Sequence, residues 1–499
     1  MNSSNLLARN ARKYPNQEAV ICHGRRVTYK TLDEQVTRLS HALLSKGIKQ
    51  QDKVILFMPN VLEFVVSYFA VQRIGAIVVP VNAKFTLSEV EYVAEHAEAK
   101  AILAHEAIFA AVESISNIEL KIKTGQAVEG WESYSTLIEN ANNTPIDCQL
   151  NEDDLSTILY TSGTTGKPKG VLFSYRNILA VAQMIAIEME VKPESRILLM
   201  MPLTHSAPLH LFLMSSMLVG ATSVLTPTFT PDLLIDSVEN ERTTHFFGAP
   251  VAYLLTASHP RLHSADLSSM KWWVYGGAPL SESEIRQIEK AFNAELTCVY
   301  GLTEAGPSGS LLFAHEHKEK AGSVGKRAPF GTELRIVNEL GEDVAIGEIG
   351  EIVLYGAGNM VGYYKEVEAT KAAFIDGWVK TGDLARFDED GYIWIVDRKK
   401  DVIISGGVNI YPKEIEDRIL QFGGIFEVAV VGVPHEEWGE TVKAIYAAKT
   451  QIDEQELKDY LTEHLAKYKI PRLFEQVDAL PRNASGKILK HQLKTQVVN

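Results

Sequence analysis

Cysteine is scarce. Cys22, Cys148 and Cys298 stand far apart in a chain of 499 residues. That spacing matches neither a metal-ligand set nor a disulfide framework, and it suits a reducing compartment, the cytoplasm. Positive charge is short as well: 49 Lys and Arg face 63 Asp and Glu, for a net charge of −14. This speaks against nucleic acid as the main partner, so any anionic ligand must be held locally by glycine loops and a few cations. The opening residues MNSSNLLARNARKYPN contain no apolar run of signal-peptide length, and the closing KTQVVN is neither a prenylation box nor a peroxisomal signal. Charge vanishes altogether between Arg196 and Asp232. Pro202, Thr204, His205, Ser206, Pro208 and His210 break that stretch, which a spanning helix tolerates poorly. It reads as a buried strand, a turn and a buried helix, so no transmembrane segment is expected.

What is present has the texture of a globular protein with more than one core. Ala19–Tyr29 reads as a hairpin turning at His23-Gly24. Leu32, Val36, Leu39 and Leu43 then recur at helical spacing, with Gly47 as a C-terminal stop. Lys53–Met58 is a buried strand, Glu63–Gly75 a helix closed by glycine, and AIVVPVN another strand. Strands alternating with helices predict a parallel sheet covered on both faces. From about Gly325 the pattern changes to short strands and glycine turns, a β-rich subdomain. The charged run Asp397–Ile403 reads as a linker to a small α+β unit. That unit carries a helix opening at Asp453 with a capping box to Glu456, and Leu457, Leu461, Leu465 and Tyr468 on one face. The fold class is therefore α/β: a large N-terminal domain of mixed α/β sheets with a β-rich subdomain, plus a small α+β C-terminal domain.

The stretch YTSGTTGKPKG, Tyr160–Gly170, has no aliphatic side chain. Gly163, Gly166 and Gly170 leave backbone N–H groups uncovered, Ser162, Thr164 and Thr165 add hydroxyls, and Lys167 and Lys169 add charge. These are the means of wrapping a polyphosphate, although the same residues also make ordinary solvated turns. Strand-like runs on both sides suggest a flap between two strands, unlike the strand–loop–helix of a P-loop, whose spacing is absent. YGGAPLS (Tyr275–Ser281) and YGLTEAG (Tyr300–Gly306) each put a Tyr-Gly pair at the end of an apolar strand, where open α/β sheets bind ligands. There a tyrosine can stack on a purine, Thr303 can donate to phosphate and Glu304 can offer a hard oxygen to Mg²⁺. Asp383 can accept two ribose hydroxyls, with Arg398 near the same sugar.

In joint order, the glycine loop, YGLTE, TGD, DRKKDVIISGG and PRNASGK resemble the acyl-adenylate-forming superfamily over nearly the whole chain. That superfamily holds acyl- and aryl-CoA synthetases, stand-alone adenylation enzymes and beetle luciferases. The resemblance implies that Ser162–Lys169 closes over the β- and γ-phosphates of ATP. It implies that Tyr300 stacks on adenine beside Gly276, Gly277 and Ala278, that Thr303 touches the α-phosphate and that Glu304 binds Mg²⁺. Asp383 with Arg398 would hold the ribose. Lys487, otherwise a solvated surface lysine, would bridge the substrate carboxylate and the α-phosphate. Gly406 and Gly407 would let the pantetheine arm of coenzyme A pass close to backbone. Lys400 matches a hinge, or is one more linker charge. His205 matches a histidine between acyl pocket and thiol tunnel, or is a satisfied core histidine. Two departures matter: Thr204 stands where many relatives have an aromatic ring, and the lysine that some carry near Ile404 is missing.

The implied domains are 1–398, an AMP-binding domain with the ATP and acyl sites, and 399–499, a mobile domain carrying the adenylation lysine. The implied activity is an ATP-dependent carboxylic acid–CoA ligase, making acyl-AMP plus pyrophosphate and then acyl-CoA plus AMP. Attack of one anion on another requires Mg²⁺ and Lys487 to offset the repulsion. Residues 205–212, 246–253, 276–280 and 301–309 are mostly apolar and hold no Lys or Arg. They point to a medium- or long-chain fatty acid, with an aromatic acid or a carrier-protein thiol as the alternatives. A luciferase-like oxygenase is less consistent with the chain's end. A peripheral membrane contact and a homodimer stay open.

Overall fold

The computed structural model describes residues 3–161, 168–482 and 488–494. Ser162, Gly163, Thr164, Thr165, Gly166, Lys167 and Lys487 lie outside the described residues. The chain forms two compact units, residues 1–334 with 353–380, and residues 335–352 with 381–499. The large unit of mixed α/β sheets and the small α+β unit are as the sequence predicts.

The first unit is built on two eight-stranded sheets. One runs in the order Ser310–Leu312, Leu296–Tyr300, Trp272–Gly276, His245–Gly248, Arg196–Leu199, Thr222–Leu225, Glu18–Cys22, Arg25–Thr28. Its interior pairings are parallel, and the two outermost are antiparallel. The other sheet runs from Gly362–Tyr363 through Lys169–Ser174, Leu155–Thr161, Ile77–Pro80, Lys53–Phe57, Ala99–Ala104 and Leu120–Lys123 to Glu132–Ser133. One continuous core joins them: Val20, Ile197 and Val274 of the first sheet, Val54, Val78 and Phe173 of the second, and helices between. Helix Leu62–Arg73 is buried on nearly every side, as a helix apolar all round must be. Helix Tyr29–Ser45 instead buries one stripe, Leu32, Val36, Leu39 and Leu43, and opens with the Thr28 side chain accepting from the Thr31 N–H.

The charge-free stretch resolves into strand Arg196–Leu199, a π-helical turn Ala207–Leu213, helix Met214–Val219 and strand Thr222–Leu225. Among the described residues no helix is long and apolar enough to cross a membrane. The β-rich stretch is a five-stranded sheet of Thr332–Val337, Gly350–Gly356, Trp378–Phe387 and Phe374–Ile375, with Ile393–Arg398 on Trp378–Phe387. Its residues are divided between the two units.

In the second unit the long hairpin Ile425–His435 with Gly439–Ala448 is flanked by Ile403–Ser405 and Leu473–Val477. Helices Pro412–Gln421 and Glu454–His464 cover it, and Ile415, Ile419, Val430, Ala444, Leu457 and Leu461 fill the core. Asp453 caps its helix by accepting from the N–H groups of Gln455 and Glu456. The expected apolar face is one residue too long. Leu465 is extended, which takes the chain off the helix and leaves Tyr468 53% exposed.

Candidate functional site

In the first sheet, strand Arg196–Leu199 lies between Thr222–Leu225 and His245–Gly248, so the chain leaves it toward one side and later returns on the other. Such a reversal opens a crevice at the carboxyl ends of parallel strands. Residues 200–206 start at that point. Trp272–Gly276 and Leu296–Tyr300 run parallel beside it in register Gly276 with Val299, so both Tyr-Gly pairs end on the same edge. Glycine is needed at this edge for space. A Cβ at Gly276 would meet the Val299 carbonyl at 2.4 Å, and one at Gly301 would meet the backbone of Pro307 and Ser308 at 2.6 Å. Gly277 has φ +80 and nothing within 4 Å of a built Cβ, so its backbone faces open space.

The loop folded back on Gly301 holds Thr303–Ala305 as a single 3₁₀ turn. The Thr303 and Ser206 hydroxyls share a hydrogen bond of 3.0 Å, which ties the loop to residues 200–206. Glu304 is held twice: its carbonyl accepts from the Met360 N–H at 2.8 Å, and its Oε1 accepts from the Tyr363 hydroxyl at 2.8 Å. Burial and the Glu304 carboxylate push the Tyr363 phenol above its ordinary range, so it stays the donor. Lys169 Nζ lies 5.1 Å from the centroid of the same tyrosine ring. Lys169 pairs with Thr161 across the antiparallel strands Leu155–Thr161 and Lys169–Ser174. The two stems of the glycine stretch are thus strands, as the sequence suggested, and the second stem reaches the Glu304 turn through Tyr363. One carboxylate fits Mg²⁺, which commonly keeps waters and substrate phosphates as its other ligands. Among the described residues, Glu304 Oε2 carries no hydrogen bond that would compete.

All four stretches expected to hold the acyl group come together. Phe212 stacks on Phe247 at 5.4 Å, a Cβ at Gly276 would lie 3.2 Å from the Phe247 ring, and Ser206 meets Thr303. His205 is open to solvent, yet protein surrounds it on most sides and desolvation lowers its imidazole pKa. That exposure does not match the bland alternative of a satisfied core histidine. His210, in the π-helical turn after it, is the buried one, with its ring edge-on to Phe173 at 4.9 Å between centroids.

In the second unit Asp383 and Arg398 face each other across paired strands, with Arg398 Nε 2.6 Å from Asp383 Oδ1. Asp383 is 5% exposed, whereas 40% of the Arg398 side chain is. Neighbouring Lys399 pairs with Glu351 at 3.1 Å, and Lys400 is exposed in the short turn Lys399–Asp401. Strands Ile403–Ser405 and Val408–Ile410 form a hairpin turning at Gly406 and Gly407, with φ +57 and +79. The space beside Gly406 is taken by the Trp438 ring, 2.6 Å from a built Cβ, and the Gly406 N–H donates to the Trp438 carbonyl at 2.8 Å. Of these two glycines, only Gly407 has nothing within 4 Å of a built Cβ.

Sequence reasoning passed over Ser206, Tyr363 and Trp438. Ser206 stood beside a histidine already singled out, and neither Tyr363 nor Trp438 lies in a motif. His210 stood out as a polar break in an apolar run and as part of the 205–212 stretch expected to hold the acyl group.

The profile of the AMP-binding enzyme family matches residues 7–364, and that of the AMP-binding enzyme C-terminal domain matches residues 414–487. The chain is 36% identical to a feruloyl-CoA synthase of Amycolatopsis over 97% of both chains. It is 34% identical to a long-chain-fatty-acid–CoA ligase of Mycobacterium tuberculosis, over 94% of this chain and 93% of the relative. A solved structure of an O-succinylbenzoate coenzyme A synthetase from Bacillus subtilis, in complex with ATP and magnesium ion, superposes with a TM-score of 0.88 at 29% identity. It covers 98% of this chain and 99% of its own.

Proposed function

The chain belongs to the AMP-binding enzyme family and is an AMP-forming acid–thiol ligase, and on that premise we propose that it joins an apolar monocarboxylic acid to coenzyme A. The observation that carries this reading is the Thr303–Ser206 hydrogen bond. It holds Thr303 and Glu304 close to residues 205–206, which supports adjoining places for the two reactants of adenylation. ATP and the acid react first, and the thiol of coenzyme A then attacks the acyl-adenylate.

In the first step Thr303 donates to the α-phosphate, Tyr300 stacks on adenine beside Gly276, Gly277 and Ala278, and Ser162–Lys169 covers the outer phosphates. Asp383 with Arg398 holds the ribose. Glu304 would hold Mg²⁺, which would supply positive charge against the phosphates. Tyr363 orients that carboxylate. Lys487 bridges the carboxylate and the α-phosphate, and His205 stands at the junction toward the thiol. Residues 399–499 are proposed as the mobile domain, Lys400 as its hinge, and Gly406–Gly407 as the pantetheine path. The cytoplasm is the proposed compartment; Cys22, Cys148 and Cys298 are free thiols.

For the acid, stretches without Lys or Arg suit one carboxylate only. A medium- or long-chain fatty acid fits an apolar wall, and the relative acting on long-chain fatty acids supports it. An aromatic acid is equally supported, because the feruloyl-CoA synthase is similar over nearly the whole chain and Phe212 stacks on Phe247 within the expected stretches. Pyrophosphate release with acid and ATP alone, followed by thioester only on adding coenzyme A, tests the reaction. Pyrophosphate release without any thioester would favour a carrier-protein thiol instead. A panel of fatty, aromatic and dicarboxylic acids tests the substrate: specificity should rise by roughly 0.8 kcal/mol per buried CH₂ among aliphatic acids. Preference for dianionic acids would overturn the monocarboxylic reading.

A further inference from the structure

Among the described residues three histidines are buried, and two of them are satisfied. His245 Nε2 meets the Met189 carbonyl at 2.9 Å and its Nδ1 the Thr244 hydroxyl at 2.7 Å. His317 Nε2 meets the Tyr275 hydroxyl at 3.1 Å and its Nδ1 the Phe313 carbonyl at 3.0 Å. His210 is 0% exposed, and among the described residues neither of its ring nitrogens has a hydrogen-bond partner. Leaving a buried polar group unpaired is costly, and each such group in a native fold calls for a reason.

Its neighbours along the chain point to the reason. Among the described residues the Thr204 and Ser308 hydroxyl oxygens are also buried without partners. These three residues lie on two segments, 204–210 and 303–308, which the Ser206–Thr303 hydrogen bond joins. His210 lies five residues after His205, in the π-helical turn Ala207–Leu213, where the Met214 N–H donates to the Leu209 carbonyl five residues back. Turns of this kind inside helices recur at functional sites. Burial pushes the His210 imidazole down to about 3, so near neutral pH it is uncharged, with one donor and one acceptor. That pairing suits a neutral oxygen rather than a second carboxylate.

We propose that His210 is a specificity-determining residue of the acid site, hydrogen-bonded to a neutral hydroxyl or carbonyl oxygen that the acid carries away from its carboxylate. The proposal rests on the acid–CoA ligase reading and deepens it. The oxygen has two sources, a ring substituent on an aromatic acid or a hydroxy or oxo group on a fatty acid.

The test measures kcat/KM for acid-dependent pyrophosphate release on matched pairs. One arm compares an aryl-propenoic acid with and without a ring hydroxyl; the other compares a fatty acid with its hydroxy and oxo derivatives. The substituted member should win in one arm by about tenfold or more, and His210→Leu should cut that preference by a similar factor. The loss should fall on the substituted acid, and His210→Gln, which keeps a donor and an acceptor, should retain most of the preference. The thermal midpoint of His210→Leu should hold or rise. If that variant does not fold, Thr204→Val with Ser308→Ala carries the same test. Equal preference in the parent and the variant, or an unsubstituted acid that wins in every pair, overturns the proposal while leaving the ligase reading intact. No pyrophosphate release with any acid would sink the ligase reading, and this proposal with it.

Discussion

Glycine serves two different ends in the two units. At the Gly276–Gly306 edge of the first unit, backbone crowds backbone: Cβ atoms at Gly276, Gly301 and Gly306 would lie 2.4–2.6 Å from main-chain atoms. At the Gly406–Gly407 hairpin of the second unit, Gly407 faces open space and Gly406 meets only an indole ring. Gly277 apart, the first arrangement leaves no room. It locks Thr303 and Glu304 where Ser206, Met360 and Tyr363 hold them. The second leaves backbone uncovered for something thin to pass. A rigid edge suits a step that must stabilise developing charge in one geometry. An open hairpin suits delivery of a flexible arm. The two proposed half-reactions thus fall on differently built regions.

The sharpest way to break that comparison is at Glu304. Glu304→Gln keeps the shape and can still accept from Tyr363, but it gives up the charge proposed to hold Mg²⁺. Pyrophosphate release should fall by roughly 10³-fold, at the upper end for removing one positioned electrostatic group. Chelating Mg²⁺ in the parent protein should reproduce the loss, and circular dichroism of the variant should match the parent. Pyrophosphate release at the parent rate would remove Glu304 from the site.

The next test separates the half-reactions. Lys487→Ala should slow acyl-adenylate formation by roughly 10²-fold or more, the scale for one charge stabiliser. Given pre-made acyl-adenylate and coenzyme A, it should form thioester near the parent rate, since no α-phosphate attack remains. Gly407→Leu should do the opposite, with pyrophosphate release kept and thioester formation reduced. Equal loss of both steps in both variants would mean that the edge and the hairpin do not divide the work.

Much of this was legible in the sequence, for identifiable reasons. The helix stripe Leu32 to Leu43, the hairpin at His23-Gly24 and the strand stems around Tyr160 and Lys169 are local patterns, and local patterns survive folding. Thr303, Glu304, Asp383 and Arg398 stood in motifs, and Asp383 and Arg398 do lie together. What escaped depends on contacts distant in the chain. Tyr363 reaches Glu304 across 59 residues and Ser206 reaches Thr303 across 97, with no periodicity to announce either. Tyr468 was misplaced because helical spacing continues on paper after Leu465 has left the helix. His210 looked like an interruption within the 205–212 stretch; only the absence of a partner among the described residues distinguishes it from His245 and His317.

The smallest expected effect addresses the comparison most directly, through stability. Gly301→Ala must push a methyl into the Pro307 and Ser308 backbone at 2.6 Å. Main chain cannot rotate away as a side chain does, so the loop must shift, and overpacking of this kind costs about 1–3 kcal/mol. Gly407→Ala meets nothing within 4 Å and bears only its positive φ of +79, which costs an alanine roughly 1–2 kcal/mol. In denaturant titrations each loss should appear in the transition of the unit that carries the residue, because each unit has its own core. The activity consequences should diverge more than the stabilities. Gly301→Ala displaces Thr303 and Glu304 and so slows pyrophosphate release in the molecules that remain folded. Gly407→Ala leaves that step alone, and its one added methyl should slow thioester formation less than leucine does. A Gly301→Ala protein with parent stability and parent pyrophosphate release would show that the edge is softer than its packing implies. The contrast between a locked and an open glycine region would then have no functional content.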